Sequence, residues 1–289
     1  MGNRSAEGPR RGRSRKFRIA LVVVLLAALA LGAKAWHDTM ADPDVRRATV
    51  ILPALPAGTA PIRVALIADI HVAGPDMPPE RLARIVGQVN RLKPDLVLIA
   101  GDLVSDKRTA TRIYSAAEAI APLGQLRPRL AAVAVPGNHD HWRDMASIRR
   151  ELERRNVVVL ANQARRFGPL ALGGLDDDYT GRADLRATLA AMARVGGAPM
   201  LLSHSPDPFP DVPRGSALML AGHTHCRQWR YPWGGAPATM SRYGNRYACG
   251  MVRESGNVLV VTAGLGTSLL PIRFGTRPEI WLIEVRAAH

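Results

Sequence analysis

Five short segments of this chain carry side chains that bind metal ions. Each contains histidine, aspartate or asparagine, and five of the eight histidines fall within them. The segments are Asp69-Ile70-His71, Gly101-Asp102, Gly137-Asn138-His139-Asp140, Ser203-His204-Ser205 and Gly222-His223-Thr224-His225. Imidazole nitrogens and carboxylate or carboxamide oxygens are the ligands that a pair of hydrolytic divalent ions takes. The set therefore predicts a metal site.

A site of this composition holds two cations when one anionic ligand is shared. Two cations about 3.5–4 Å apart repel each other, and a shared carboxylate can bridge them. Such ions lower the pKa of bound water, make hydroxide available and offset the charge on a phosphoryl group. His139 follows Asn138 directly and is the natural proton donor, with Asp140 expected to orient it.

Predicted strands precede each of the five segments. They cover Arg63–Ala68, Leu96–Ala100, Leu130–Val135, Met200–Ser203 and Leu218–Ala221. Further strands are predicted over Ala48–Leu52, Val157–Leu160, Leu170–Gly173, Val258–Ala263 and Glu279–Val285, and a loop or hairpin over Trp229–Met251. Helices are predicted over Glu80–Leu92, Arg112–Leu123, Met145–Arg155 and Arg182–Val195. Ligands of alternating α/β folds bind beyond the carboxyl ends of the strands, so we expect the five segments to converge.

The ordered pattern D-x-H, G-D, G-N-H-D, a lone histidine and G-H-x-H resembles that of the calcineurin-like metallophosphoesterase superfamily. The downstream segments Gly264-Leu265-Gly266-Thr267-Ser268 and Pro271-Ile272-Arg273-Phe274 are similar to its small membrane-anchored bacterial phosphodiesterase branch. The resemblance spans roughly residues 61 to 286. It implies an α/β fold in which a two-sheet β-sandwich is flanked by helices, giving four α/β/β/α layers.

The resemblance also implies roles for the individual residues. The first metal ion would be bound by Asp69, His71, Asp102 and His225. The second would be bound by Asp102, Asn138, His204 and His223, and His139 would assist the leaving group. Mn, Fe and Zn all suit these nitrogen and oxygen ligands. Arg273 is a candidate phosphate contact, with an ordinary surface arginine as the alternative. Cys226-Arg227 stands where that branch often has two glycines, which puts substrate access in doubt.

The N-terminal segment combines a basic tail with an apolar stretch. Residues 1–18 carry seven basic side chains and one acidic side chain, a net charge of +6, and residues 19–33 carry no charge. A helix over residues 17–36 spans about 30 Å, the thickness of the hydrocarbon core of a membrane. We favour an uncleaved anchor over residues 19–36, and a signal peptide cleaved near Ala35 is the alternative. Residues 37–60 are then a linker with the first strand, and residues 61–289 the hydrolase domain.

The charge and the cysteine content of the chain bear on where the protein is located and what it binds. The arginine-rich tail predicts a single-pass protein of the cell inner membrane whose body faces the periplasm or cell exterior. Of the net charge of +15, the body carries +9, which suits anionic substrates or membrane surfaces, although a solvated arginine-rich surface is an equal alternative. Two cysteines exclude a disulfide scaffold. We expect Cys226 and Cys249 to be unlinked thiols, and a disulfide between them is the alternative if the domain is exported.

The leading prediction is a dinuclear metal-dependent hydrolase of a phosphodiester or pyrophosphate, acting on a lipid-linked or envelope substrate. Hydrolysis of UDP-2,3-diacylglucosamine in lipid A synthesis is an alternative raised by the resemblance and opposed by the predicted topology. A nuclease is a further alternative, but no basic-aromatic track is evident and no nucleic acid is expected. A non-catalytic metal-binding protein is opposed by the presence of His139. Three interpretations remain for the aromatic residues Trp229, Tyr231 and Trp233. They could line a substrate groove, rest at the membrane surface, or only pack the loop.

Overall fold

The computed structural model of this protein describes residues 10–215, 217–231, 233 and 235–288. The helices in these ranges are α1 (Arg10–Met40), α2 (Pro79–Arg91), α3 (Ala116–Ile120), α4 (Asn138–Arg143), α5 (Met145–Glu153) and α6 (Leu185–Val195). Short 3-10 helices cover Ala121–Gln125 and Phe209–Asp211.

Two six-stranded sheets form the body. The first has the order β1-β14-β2-β4-β6-β7, in which only the pairing of β14 with β2 is antiparallel. Its strands are β1 (Asp44–Ile51), β2 (Ile62–Ile67), β4 (Leu96–Ala100), β6 (Ala131–Val135), β7 (Val157–Val159) and β14 (Glu279–Arg286). A separate pair of two-residue strands, β3 (Ala73–Gly74) and β5 (Arg112–Ile113), lies outside both large sheets.

The second sheet has the order β12-β13-β11-β10-β9-β8. Its strands are β8 (Gln163–Phe167), β9 (Leu170–Gly174), β10 (Ala198–Leu202), β11 (Leu218–Ala221), β12 (Gly250–Glu254) and β13 (Asn257–Val261). The four central strands run parallel and the two edge strands antiparallel. The carboxyl ends of the central strands therefore lie on one edge, where the polar segments begin.

Three apolar clusters divide the body into four layers. The middle cluster lies between the sheets, with Leu66 and Leu98 from the first sheet facing Leu172 and Leu220 from the second. Helices α2, α3 and α5 cover the outer face of the first sheet, and α6 covers that of the second. Burial of each leucine contributes roughly 1.5–3 kcal/mol, so the sandwich core is a main source of stability. The predicted α/β/β/α fold class is confirmed.

One predicted helix differs from the structure. The apolar spacing of residues 112–123 predicts a continuous helix, but residues 112–113 form β5 and α3 begins only after Ser115. The Ser115 hydroxyl accepts from the Glu118 amide, and the Glu118 carboxylate accepts from the Ser115 amide, which fixes the start of the helix. Pro122 lacks an amide hydrogen, and the chain changes there to a 3-10 helix.

Helix α1 contains one segment that is long and apolar enough to cross a membrane. This segment, Arg15–Met40, includes a window with a mean hydropathy of 2.3, of which only 6% is buried. The last turns of α1 are less exposed than this window, because Ala35, Asp38 and Thr39 are buried against the body. The helix continues to Met40, and β1 then begins at residue 44, whereas the sequence predicted a linker from residue 37 and a strand over residues 48–52.

Candidate metal centre

The predicted ligand residues lie where the central strands of both sheets end. Asp69 and His71 follow β2, Asp102 follows β4 and Asn138 follows β6, while the histidines follow β10 and β11. Backbone hydrogen bonds join these ends, since the Asp69 amide donates to Gly101 and the His71 amide to Asp102. The His223 amide donates to the Asp69 carboxylate at 3.0 Å, which connects the two sheets.

One group of donor atoms comes from Asp69, His71 and His225. The Nε2 atoms of His71 and His225 are 3.2 Å apart, and His225 Nε2 lies 3.7 Å from Asp69 Oδ1. All three side chains are buried.

A second group comes from Asn138, His204 and His223. His204 Nε2 lies 3.1 Å from Asn138 Oδ1 and 3.0 Å from His223 Nδ1. The Nδ1–H of His204 donates to the Ala100 carbonyl at 2.8 Å, which directs Nε2 towards the other donors.

Asp102 lies between the two groups. Its Oδ2 atom is 3.5 Å from His71 Nε2 and 3.2 Å from His204 Nε2. Ligands that bind one ion at about 2.0–2.2 Å are themselves roughly 3 Å or slightly more apart, as the donor atoms here are. The donor set, neutral imidazoles with carboxylate and carboxamide oxygens, therefore fits divalent cations.

Most of these residues adopt a backbone conformation that non-glycine residues rarely take. The φ angle is positive at five of them: Asp69 (49°), His71 (48°), Asp102 (53°), His223 (69°) and His225 (48°). Such a conformation costs of order 1–3 kcal/mol per residue and persists only where the surrounding structure imposes it. Its concentration at the predicted ligand positions indicates that the surrounding fold holds the backbone where it brings these side chains together.

Two glycines allow the loops to approach closely. A Cβ atom at Gly101, where φ is +76°, would lie 2.6 Å from His204 Nδ1. A Cβ atom at Gly222 would lie 2.6 Å from the Asp69 carboxylate. Any larger residue at either position would displace a predicted ligand.

Burial sets the charge of the centre in the metal-free protein. Burial lowers the pKa of His71 and His225 well below the ordinary value and that of His223 to about 3, so these imidazoles are neutral. Burial also raises the pKa of Asp69 to about 7. At His204 burial opposes protonation, but the Asp102 carboxylate outweighs it and raises the pKa of His204 to about 10. The metal-free centre therefore holds a proton beside Asp102.

The expected orienting role of Asp140 is wrong. Asp140 accepts from the backbone amides of Gly137, Leu103 and Val104, so it fixes the loops and not the His139 ring. The residue in contact with His139 Nδ1 is Asp106, which the sequence reasoning missed. The available signal was a carboxylate four residues after Asp102. The neighbouring His141 contacts a different carboxylate, since its Nε2 atom lies 2.7 Å from Asp176 Oδ1.

Arg273 is not a surface residue. Its side chain is fully buried and does not line the cavity above the predicted ligands. The guanidinium donates to the carbonyls of Ala263 and Gly266, and the Gly266 amide donates to the Asp69 carbonyl at 2.7 Å. The expected phosphate contact is therefore replaced by an internal support of the Asp69 loop.

Cys226 and Cys249 form a disulfide, so the favoured expectation of unlinked thiols is wrong and the alternative, a pair, is what the structure has. The bond joins residues 23 positions apart and connects the loop after His225 to the residue before β12. Sequence spacing gave no basis for this pairing because the contact is made by the tertiary fold.

A cavity of 530 Å³ opens above the predicted ligands. Its floor includes Asp102, Asn138, His223 and His225. Its walls are mainly apolar and include Trp142, Tyr179, Trp229, Met240, Leu269 and Leu270. The Tyr179 ring lies 4.9 Å from that of His223, which brings the turn after Asp176-Asp177-Asp178 to the site. Neither Trp142 nor Tyr179 was predicted as a site residue.

Comparison with known proteins agrees with this geometry. A Danio rerio protein named transmembrane protein with metallophosphoesterase domain is 32% identical over 291 residues, covering 92% of this chain and 63% of that protein. Bacillus subtilis metallophosphoesterase YkuE is 28% identical over 246 residues, covering 81% of this chain and 82% of that protein. Escherichia coli phosphodiesterase YaeI is 29% identical over 235 residues, with coverage of 78% and 83%.

This chain thus spans less than two thirds of the Danio rerio relative's length. Residues 62–227 match the Metallophos family, which is described as calcineurin-like phosphoesterase. The match covers more than half of the chain and includes all seven predicted metal ligands. The chain belongs to the calcineurin-like phosphoesterase family.

Proposed function

We propose that this protein is a phosphoester hydrolase that uses two divalent metal ions. Asp69, His71, Asp102 and His225 bind one ion. Asp102, Asn138, His204 and His223 bind the other. The observation that carries this proposal is the position of Asp102 Oδ2, 3.5 Å from a donor of one group and 3.2 Å from a donor of the other. A carboxylate in that position supports a bridging role, because it offsets the repulsion between two cations.

The protein side chains contribute proton transfer and orientation. Bound divalent ions supply an activated water and offset the charge on the phosphoryl oxygens. His139 Nε2 lies 4.0 Å from Asp102 Oδ2, beside the ligands, and donates a proton to the leaving oxygen. Asp106 holds His139 Nδ1, so that Nε2 faces the cavity.

The substrate class proposed is a phosphodiester or pyrophosphate of a lipid-linked or envelope molecule. The apolar walls of the cavity support an apolar substituent on the phosphoester, because Trp142, Trp229 and Leu269 offer contact area and little charge. The name of the Escherichia coli relative, a phosphodiesterase, supports the diester.

We further propose that α1 anchors the protein in the inner membrane with its body outside the cytoplasm. The basic residues before the apolar segment favour a cytoplasmic tail. The disulfide between Cys226 and Cys249 supports this orientation, because disulfides persist in oxidising compartments and are rare in the cytosol. Docking of Ala35 and Thr39 against the body supports retention of the helix over cleavage near Ala35.

The experiment is hydrolysis of bis-p-nitrophenyl phosphate by purified full-length protein loaded with Mn²⁺. Asp102→Ala and Asn138→Ala each remove a predicted ligand, and we expect both to reduce kcat at least about 100-fold. Asp211→Ala, which replaces an exposed carboxylate on a 3-10 helix, is the matched control and should retain parental activity. Parental activity in either ligand variant would refute the assignment.

A further inference from the structure

The exposed part of α1 fixes which face of the body lies towards a membrane. Leu25, Leu26 and Leu29 on the helix are 58–70% exposed, whereas Ala35 and Thr39 are 5% or less exposed. The helix therefore leaves the body near Ala35. Lys34, at the end of the apolar stretch, pairs with Asp38 at 2.7 Å, as expected of a residue at the level of the membrane interface.

Hydrogen bonds fasten the end of α1 to the body. The Arg81 guanidinium donates to the carbonyls of Thr39 and Ala41 at 2.7 and 2.9 Å. The Arg273 amide donates to the Thr39 hydroxyl at 2.7 Å. Consecutive Cα atoms are about 3.8 Å apart, so Leu270 lies within about 11 Å of Arg273 along the chain. The segment before Arg273 is therefore held beside the point where the helix leaves the body.

An apolar surface lies on this segment and the loop beside it. It comprises Trp229, Tyr231, Trp233, Leu269 and Leu270, and we call it the apolar rim. Leu269 is 74% exposed and Trp233 82% exposed. Tyr231 and Trp233 stack with ring centroids 5.3 Å apart.

Two side chains join the loop to the segment. Gln228 Nε2 donates to the Leu270 carbonyl at 3.0 Å, and Trp229 Nε1 donates to the Ile272 carbonyl at 3.0 Å. The rim is therefore one connected surface. Its tryptophan and tyrosine side chains favour the interface between lipid and water, and its leucine side chains favour the acyl-chain region below it.

The apolar rim is continuous with the proposed active site. Trp229, Leu269 and Leu270 also line the 530 Å³ cavity whose floor includes His223 and His225. We infer that the apolar rim inserts into the lipid interface of the membrane entered by α1, and that acyl-chain phosphoesters pass from that interface along the rim into the cavity. The entry of acyl-chain phosphoesters rests on the proposed hydrolase activity. The insertion of the rim into the membrane rests on the position of α1 and not on that activity.

The first test measures insertion directly. Because both native cysteines form the disulfide, a single introduced cysteine is the only free thiol for a nitrobenzoxadiazole fluorophore. The full chain, loaded with Mn²⁺, is labelled as L269C and placed in phosphatidylcholine–phosphatidylglycerol vesicles. The control is Q163C, an exposed position on edge strand β8.

We expect the L269C label to shift to the blue and to be quenched by nitroxide-bearing lipid, whereas the Q163C label stays exposed to water. Equal quenching of the two labels would overturn the inference. The label is also measured in detergent micelles, where the mass of the particle shows whether the protein is a monomer or a dimer. If the protein is a dimer there and the L269C label is shielded from water, a second chain covers the rim and the inference is overturned.

The second test compares hexadecyl and methyl p-nitrophenyl phosphate in the same vesicles. We expect the parent protein to favour the hexadecyl ester at least about tenfold in kcat/KM. Replacing Tyr231 and Trp233 together by serine should reduce that preference about tenfold and leave the methyl-ester rate unchanged, because neither residue lines the cavity. A chain-length preference that is absent in the parent, or unchanged in the variant, would overturn the inference. If the protein hydrolyses neither ester, the proposed function is contradicted. The label experiment would still show whether the rim inserts into the membrane.

Discussion

The carboxylate of Asp106 contacts Nδ1 of His139, which leaves the other ring nitrogen of His139 directed towards the predicted metal ligands. Asp106 is partly exposed and approaches none of the ligand groups, so its effect is exerted through the histidine. A carboxylate in this position fixes the tautomer and the orientation of the ring.

We predict that Asp106→Asn lowers kcat for alkyl phosphodiesters by about 10–100-fold. The loss should be smaller for bis-p-nitrophenyl phosphate, because nitrophenolate leaves without a proton. Bound metal should stay at the parental level, and Asp211→Asn should have no effect. Equal losses for both leaving groups would contradict the positioning role of Asp106.

Metal binding should release protons, and the number should depend on pH. The pKa of His204 is raised to about 10 and that of Asp69 to about 7, so in the metal-free protein both are protonated at low pH. Each proton must leave before its side chain binds an ion, so metal affinity rises as pH rises. We expect about two protons released at about pH 6 and about one at about pH 8.5. Calorimetry of Mn²⁺ binding in buffers of different ionisation enthalpy measures this number, and a pH-independent value of zero would refute the prediction.

The disulfide should stabilise the fold and the first group of ligands. Replacing Cys226 and Cys249 by serine opens a loop with a sequence separation of 23, which lowers the free energy of unfolding by about 3 kcal/mol. Because Cys226 follows His225 directly, metal affinity should also fall. Urea denaturation of the parent with and without a reductant is the matched comparison. Identical midpoints would show that the bond does not stabilise the fold.

Arg273 should act on stability and metal binding without contacting the substrate. Arg273→Met leaves the carbonyls of Ala263 and Gly266 without their buried donor, which lowers the free energy of unfolding by about 3 kcal/mol. Arg277→Met, at a half-exposed arginine paired with Asp44, should cost about 0.5 kcal/mol or less. The contrary outcome is a folded Arg273→Met variant that has unchanged stability and differs from the parent only in a raised KM. That result would restore the interpretation of Arg273 as a substrate contact.

The buried strands were the most predictable elements. Leu96–Ala100 and Leu218–Ala221 have the predicted bounds, because each is a short apolar run ended by a glycine. Strand β8 was missed because Gln163–Phe167 lies on a sheet edge and is largely polar. The helix predicted over residues 112–123 was shortened by local capping, which apolar spacing does not report.

The convergence of the proposed ligand residues was predictable because they follow strand ends, where a parallel sheet brings separate segments together. By contrast, the sequence did not predict the contacts made by Asp106, Tyr179 and Cys249, because each contact depends on how a loop folds over the site. Arg273 illustrates the same limit, since a lone arginine in sequence gives no sign of burial.

The central claim is that two metal ions act together in hydrolysis, and metal titration of the full-length protein tests it most directly. Metal-free protein is titrated with Mn²⁺ while bound metal and hydrolysis of bis-p-nitrophenyl phosphate are measured in the same samples. The proposed bridge by Asp102 predicts that full activity requires two ions per chain and that Asp102→Ala binds fewer and stays inactive. Full activity with one ion or none, or parental activity of Asp102→Ala, would contradict it.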